Sequence, residues 1–316
     1  MSNDILSRLR LLDVACIGDR APHNAFADLL EWHDRMWLVY REGLSHVSGD
    51  GRIRVLGSAD GRRWEEAAVL AVDGEDLRDP KLSVMPDGRL MLLAAAAIRR
   101  DGRLAQLRNL VWHSGDGRHW GLPQEIGERG MWLWRVTWHR GVAYGVAYAV
   151  FDDPEPGRPR RHARLYRSED GLNYRSLVER LVEGGYPNEH SMLFLPDDRA
   201  LCLLRCDDQR DSALLGRAAP PYKEWSWKPL GRRFGGPHMI VLPDGGIAAA
   251  GRLYDGEVRT ALCRLDPETA TLTELLSLPS GGDTSYPGLA WRHDGLWVAY
   301  YSQHEGNCRI YLARLE

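Results

Sequence analysis

Apolar and polar residues alternate along this chain in short runs, and the runs come in pairs around a tight turn. Six such pairs are legible: LLEWHDRMWLVY, LSVMPDGRLMLL, VTWHRGVAYGVAY, MLFLPDDRALCLL, IVLPDGGIAAAG and LAWRHDGLWVAYY. A period of two marks strands, and Asp, Gly or Arg at the tip marks a hairpin turn. The turns fall at Asp34, Asp87, Arg140, Asp197, Asp244 and Asp294, in steps of 53, 53, 57, 47 and 50 residues. Six units of this length predict an all-β six-bladed β-propeller with four antiparallel strands per blade, a single domain over 1–316. After Tyr301 only one further strand is readable, Cys308–Ala313. The N-terminal run Leu11–Ile17 is expected to fill the last blade and close the ring, which removes a free sheet edge.

A second motif keeps the same period. It reads Ser58-Ala-Asp60-Gly61 with Trp64, Ser114-Gly-Asp116-Gly117 with Trp120, and Ser168-Glu-Asp170-Gly171 with Tyr174. Asp-Gly suits the turn between a blade's third and fourth strands. Ser and Asp side chains can bond the turn backbone, and the aromatic packs beneath it. The motif resembles the Asp-box, or neuraminidase repeat, of the sialidase superfamily, with one spacer residue fewer between Asp and Gly. Weaker versions stand at Tyr222–Trp225 and Asp266–Thr269. All are expected to be structural.

Antiparallel blades sort their loops by face. The hairpin tips and Asp-Gly turns share one face, so chemistry is expected on the other, where innermost strands begin and second strands end. Those positions carry Asp28, Arg41, Glu42 and His46 in blade one, and Arg78, Asp79 and Lys81 in blade two. They carry Trp134, Arg135 and Tyr148 in blade three, and Glu189 and Arg205 in blade four. Blades five and six contribute His238, Arg252, Tyr286, Tyr301 and His304. Charges that repeatedly end apolar strands converge on one axis, which scattered surface charge would not do.

Here the sialidase resemblance extends to single residues. The segment from Glu189 to Arg205 resembles the fourth blade of sialidases, where a Glu begins the innermost strand and an Arg ends the next. Tyr286 resembles the sialidase nucleophile, Arg252 the fifth-blade Arg, Asp79-Pro80 the start of the second blade, and Arg41 the Arg closing the first hairpin. The stretches LRDPKL, GGPH and SYPGL are similar to those of short bacterial sialidase-like proteins. The resemblance implies a glycoside hydrolase of sialidase type acting on sialic acid or a related acidic glycan. Tyr286 would be the nucleophile and Glu189 its base, because a neutral phenol is not repelled by a sugar carboxylate as an anion would be. Arg41, Arg78, Arg205 and Arg252, with His238, Tyr301 and His304, would bind the sugar. Two features depart from the family. Its first-blade Arg is absent from His23–Asp28, and its acid/base Asp has no direct counterpart, with His46, Asp50, Glu42 and Asp79 the candidates nearby. A sugar-binding propeller without catalysis, and a glycosidase using the pair Asp79 and Glu189 on another sugar, are the alternatives.

Composition narrows the partners. Forty-one basic residues against 44 acidic ones leave a net charge of -3 without a basic stripe, which argues against nucleic acid. No run is long and apolar enough to span a membrane. The start MSNDILSRLRLLD carries charge where a leader needs an apolar stretch, so a cytoplasmic protein is expected. The five cysteines lie mostly in apolar runs and read as free thiols without zinc-site company. No cofactor or metal is expected. Twelve Trp and twelve Tyr against four Phe suit sugar binding, as a flat apolar ring with a polar handle does. In Met131–Arg135 the same rings also fit a core, and Gly235-Gly236 reads as a turn.

Overall fold

The computed structural model describes residues 4–152, 157, 161–208, 212–293 and 295–316. The turn expected at Asp294 lies outside the described residues. Six antiparallel sheets form the six blades of a propeller. Blade one comprises His23–Trp32, Arg35–Gly43, Arg52–Ser58 and Glu65–Leu70. Blade two comprises Asp76–Val84, Leu90–Arg100, Arg103–Ser114 and Gln124–Ile126. In blade three the innermost strand is split into Met131–Leu133 and Thr137–His139, followed by Val142–Ala149, His162–Ser168 and Arg175–Glu183. Blade four runs Pro187–Phe194, Ala200–Cys206, Leu214–Ala218 and Ser226–Pro229. Blade five runs Phe234–Val241, Ile247–Leu253, Arg259–Asp266 and Thr271–Ser277.

Blade six has Thr284–Arg292, Gly295–Ser302 and Arg309–Leu315, and its fourth strand is Leu11–Gly18. That strand pairs antiparallel with Arg309–Leu315, from Leu11 opposite Leu315 to Gly18 opposite Ile310. Both chain ends are thereby tied into one sheet. The short helix Ile5–Arg8 buries Leu6 between blades five and six, and the Ile5 N–H donates to Asp244 at 2.7 Å.

The hydrophobic core is divided into six clusters, one in each gap between neighbouring blades. A middle strand is therefore buried on both faces, which is why it reads as a continuous apolar run. In Ala200–Cys206, Leu201 and Leu203 face the gap to blade five while Cys202 and Leu204 face the gap to blade three. The fourth strands are outermost and more exposed, as in Glu65–Leu70.

The Ser-x-Asp-Gly turns join third to fourth strands as expected. In blade two, Ser114 Oγ accepts the Gly117 N–H at 2.8 Å, and Asp116 accepts those of Arg118 and His119 at 2.9 and 2.8 Å. Gly117 has a φ of +73°, and a Cβ there would fall 2.2 Å from the Trp37 ring of blade one, so the turn locks onto the preceding blade. All five cysteines are free. Cys16 is exposed and the other four are buried. No helix among the described residues is long and apolar enough to cross a membrane.

Candidate active site

One irregularity recurs at the same height in every innermost strand. The register slips by a residue between Ala25 and Asp28, Arg78 and Lys81, Pro187 and His190, Gly235 and His238, and Ser285 and Gly288. In blade three the break between Leu133 and Thr137 has the same effect. An extra residue re-aims side chains that a regular strand would send into the gaps between blades. The displaced positions hold Phe26, Asp79, Trp134, Glu189 and Tyr286, and all five line one hollow of about 310 Å³ on the axis. Phe26, Asp79 and Tyr286 have φ values of +60°, +52° and +50°. Such left-handed backbone is strained for residues with a side chain and clusters at functional sites. Gly235-Gly236 belongs to this set: it is a bulge inside the strand Phe234–Val241, not a turn.

Three of the expected groups form a hydrogen-bonded trio. The Tyr286 hydroxyl donates to Glu189 Oε1 at 2.6 Å and accepts from Arg205 Nη1 at 3.1 Å. The same Nη1 reaches both Glu189 oxygens, at 3.0 and 2.9 Å, while Arg205 Nε donates to Asp207 at 2.8 Å. The Tyr286 ring is wedged between the edges of Phe26 and Trp134, each with centroids 5.4 Å away. Burial, reinforced by the Glu189 charge, pushes its phenol well above the ordinary range. Asp79 is 3% exposed. Burial pushes its carboxyl up to about 6 against the opposing pull of Arg78 and Lys81. Its Oδ1 has no hydrogen-bond partner among the described residues; nor have Arg99 Nε and Trp134 Nε1, whose residues also line the hollow. Buried polar atoms left unpaired call for a ligand or water. Trp132 and Tyr148 stack at 5.7 Å to form a wall, so the Trp-rich stretch serves the site as well as the core.

Arg78 and His46 reach the hollow on blade one's side. Arg78 lies over the Phe26 ring at 4.8 Å and donates to the His46 carbonyl at 2.7 Å and to Asp76 at 3.1 Å. His46 is half exposed, and its Nδ1 faces Asp283 Oδ2 at 2.6 Å. Of the other acid/base candidates, Glu42 is held by Arg52 and Arg54, and Asp50 accepts from the Leu44 N–H at 3.1 Å. Neither lines the hollow.

Five expected sugar-binding residues stand elsewhere. Arg41 is fully buried, donating to Asp76 at 2.8 Å and to Ser45 and Ser48 of the loop that carries His46. A charge at a strand end can turn toward the next blade instead of the axis, and Asp76 draws it there. His238 lies below the hollow: its Nδ1 accepts the Leu289 N–H at 3.0 Å, and burial holds its pKa well under the usual value. Tyr301 is buried behind Tyr286, donating to Asp283 at 2.7 Å and accepting from Arg252 at 2.9 Å. His304 packs on Tyr311 and faces Ser302 Oγ at 2.9 Å, away from the lining. Arg252 also sits one layer back, 3.2 Å from Asp283, with its guanidinium 5.4 Å from the Tyr286 ring.

Beneath the hollow the channel is plugged by charge. Asp28 accepts from Arg135 at 2.9 Å and from the Leu82 N–H at 2.8 Å. Lys81 lies 4.9 Å from the Trp134 ring, and burial brings its amine down to about 8. Arg99, which lines the hollow, and Asp283, which borders the cavity beside it, are the residues that sequence patterning missed. They lie at a ragged strand end and in a loop, where alternation carries no signal.

No protein-family model and no curated protein matches the chain. Solved structures do. A protein of unknown function from Dyadobacter fermentans superposes with a TM-score of 0.82 at 20% identity, covering 98% of this chain and 99% of that one. The GH93 alpha-L-arabinofuranosidase of Fusarium graminearum, in complex with arabinobiose, gives 0.77 at 13% identity, with 96% and 97% covered. The fold is the six-bladed propeller that these structures share. A Trypanosoma rangeli sialidase, in complex with the inhibitor DANA, gives 0.69 at 13% identity over 96% of this chain. The match spans 58% of that longer protein. At these identities the likeness establishes the six-bladed architecture and leaves the substrate to the site's chemistry.

Proposed function

We propose that this protein is a glycoside hydrolase whose reaction takes place in the hollow at the mouth of the channel. The observation that carries the proposal is the trio Tyr286, Glu189 and Arg205, joined in one hollow with the buried carboxyl of Asp79. In the first step the Tyr286 oxygen attacks the anomeric carbon while Glu189 takes its proton. Asp79 donates a proton to the departing glycosidic oxygen, so the C–O bond to the leaving group breaks as the bond to Tyr286 forms. Asp79 then takes a proton from water, which attacks the same carbon, and Glu189 returns the proton to Tyr286. Arg205 steadies the charge on Glu189 and the developing phenolate.

A specific observation favours a second reading, in which Glu189 itself attacks and the sugar is neutral. Each Arg expected to clamp a sugar carboxylate already holds an acid: Arg41 with Asp76, Arg205 with Glu189 and Asp207, and Arg252 with Asp283. The structural neighbours include an arabinofuranosidase in complex with arabinobiose as well as a sialidase. Hydrolysis of a panel of aryl glycosides, acidic and neutral, by the wild type, Glu189→Gln and Tyr286→Phe tests both readings. Glu189→Gln is expected to lose about 10³-fold or more in kcat. An equal loss in Tyr286→Phe assigns the attack to the phenol, and a loss of about tenfold assigns it to Glu189. No turnover of any glycoside by the wild type would reject the hydrolase.

A further inference from the structure

Beside the hollow, across His46, lies a second cavity of about 470 Å³ bordered by His23, His46, Asp283 and Cys308. On its wall His23 Nε2 and His46 Nδ1 both point at one atom, Asp283 Oδ2, from 3.1 and 2.6 Å. All three potential ligand atoms lie within 4.8 Å of one another, the one such grouping among the described residues. They come from three separate segments: the start of blade one, the loop after its second strand, and the loop before blade six. We propose that these three side chains form a binding site for a divalent first-row metal ion, zinc being the best fit.

Four observations support the site. Zinc bound at about 2.0–2.1 Å in tetrahedral geometry puts ligand atoms about 3.3 Å apart, so His23 Nε2 at 3.1 Å from Asp283 Oδ2 is almost in place and the exposed His46 ring, at 2.6 Å, has to swing back by less than an ångström. Two imidazole nitrogens and one carboxylate oxygen suit zinc and its neighbours, whereas calcium and magnesium take oxygen. The carboxylate is oriented from behind: Asp283 Oδ1 accepts from Tyr301 at 2.7 Å and from Arg252 at 3.2 Å, which leaves Oδ2 for the ion. All three residues border the cavity, so a fourth ligand such as water or a sugar hydroxyl would come from there, and Cys308 Sγ stands 3.9 Å from Oδ2 as a nearby soft group.

Such an ion would join the loop carrying His46, which also lines the catalytic hollow, to blade six. Arg252 lies on the far oxygen of Asp283, so the site holds one carboxylate against the ion and one guanidinium. That balance favours an anionic or polarised oxygen as the fourth ligand.

The test uses the full chain without an affinity tag. Dialysis against Zn²⁺ followed by elemental analysis should leave one equivalent bound, and Co²⁺ in its place should give the visible absorption of a low-coordinate N/O site. His46 is half exposed, so His46→Ala will fold. It should weaken binding at least tenfold and abolish the rise in melting temperature that Zn²⁺ gives the wild type. His23→Gln and Asp283→Asn, checked for folding by circular dichroism, should do the same. Substoichiometric zinc in the wild type, or unchanged affinity in His46→Ala, would overturn the proposal and leave the cluster as a hydrogen-bonded His–Asp–His group. Either result stands apart from the hydrolase reading, because no step there passes through the ion.

Discussion

Asp79 is the residue on which chemistry and stability meet. Burial raises its pKa from 3.8 to about 6, so it keeps its proton to a higher pH than a surface carboxyl does. In the proposed mechanism Asp79 works in its protonated form, and kcat/KM is therefore expected to fall as pH rises through about 6. Asp79→Asn should remove that limb and cost about 10²–10⁴ in kcat. The same shift has a stability sign. A carboxyl that binds its proton more tightly when folded favours the fold below pH 3.8, and that advantage is lost as pH climbs through about 6. Asp79→Asn, neutral throughout, should gain melting temperature over the wild type at pH 8 relative to pH 4. A wild-type profile without this limb, with the variant tracking it, would deny Asp79 the role. Glu189, Arg205 and Tyr286 were legible because they stand at strand ends on the face opposite the turns. Arg41 has the same signature and serves another purpose. Strand-end placement does not say whether a guanidinium turns to the axis or to Asp76 of the next blade.

At the scale of the element, the inner-strand bulge makes the site. Alternation in the sequence located the hairpins to within a few residues, since burial on two faces writes itself directly into apolar runs. The bulges left only a faint mark, the Pro that follows Asp79, Gly236 and Tyr286. Their consequence is large, because one extra residue decides whether a side chain meets a neighbouring blade or the axis. Gly236 shows the dependence. Its φ is +57°, and a Cβ there would lie 2.8 Å from Cγ and Cδ2 of Tyr286. Gly236→Ala carries the left-handed backbone penalty of about 1–2 kcal/mol and also displaces the ring. The expected result is a lower melting temperature and a loss in kcat of about 10²-fold, as for a reacting group moved by an ångström. A KM that changes less than kcat would match displacement of Tyr286. Unaltered kinetics would mean that the ring is not positioned by this glycine.

The whole molecule is a closed ring, and closure is what holds six bulges in register around one axis. Each blade buries its faces only against its neighbours, with one apolar cluster per gap. An opened ring exposes two of those faces at once. The sequence disclosed this through a shortage: blade six lacks a strand after Arg309–Leu315, and the N-terminal run is the unclaimed strand. Leu11–Gly18 completes the sheet, and Arg10 and Glu316 extend the ladder through reciprocal backbone bonds of 2.7 and 3.1 Å. Closure also bears on the site, because Phe26 of blade one packs at 5.4 Å against Tyr286 of blade six, across the gap that those strands seal. Deleting residues 1–18 should leave Arg309–Leu315 as a bare edge and lower the melting temperature by about 10 °C or more, with aggregation through that edge. A synthetic peptide spanning 11–18 should restore part of the loss, since it supplies the missing strand with a defined register. Turnover should fall together with stability and return with the peptide, because the wedge around Tyr286 is assembled from both sides of the closing gap. A truncated chain that melts and turns over like the full one would place the closure elsewhere.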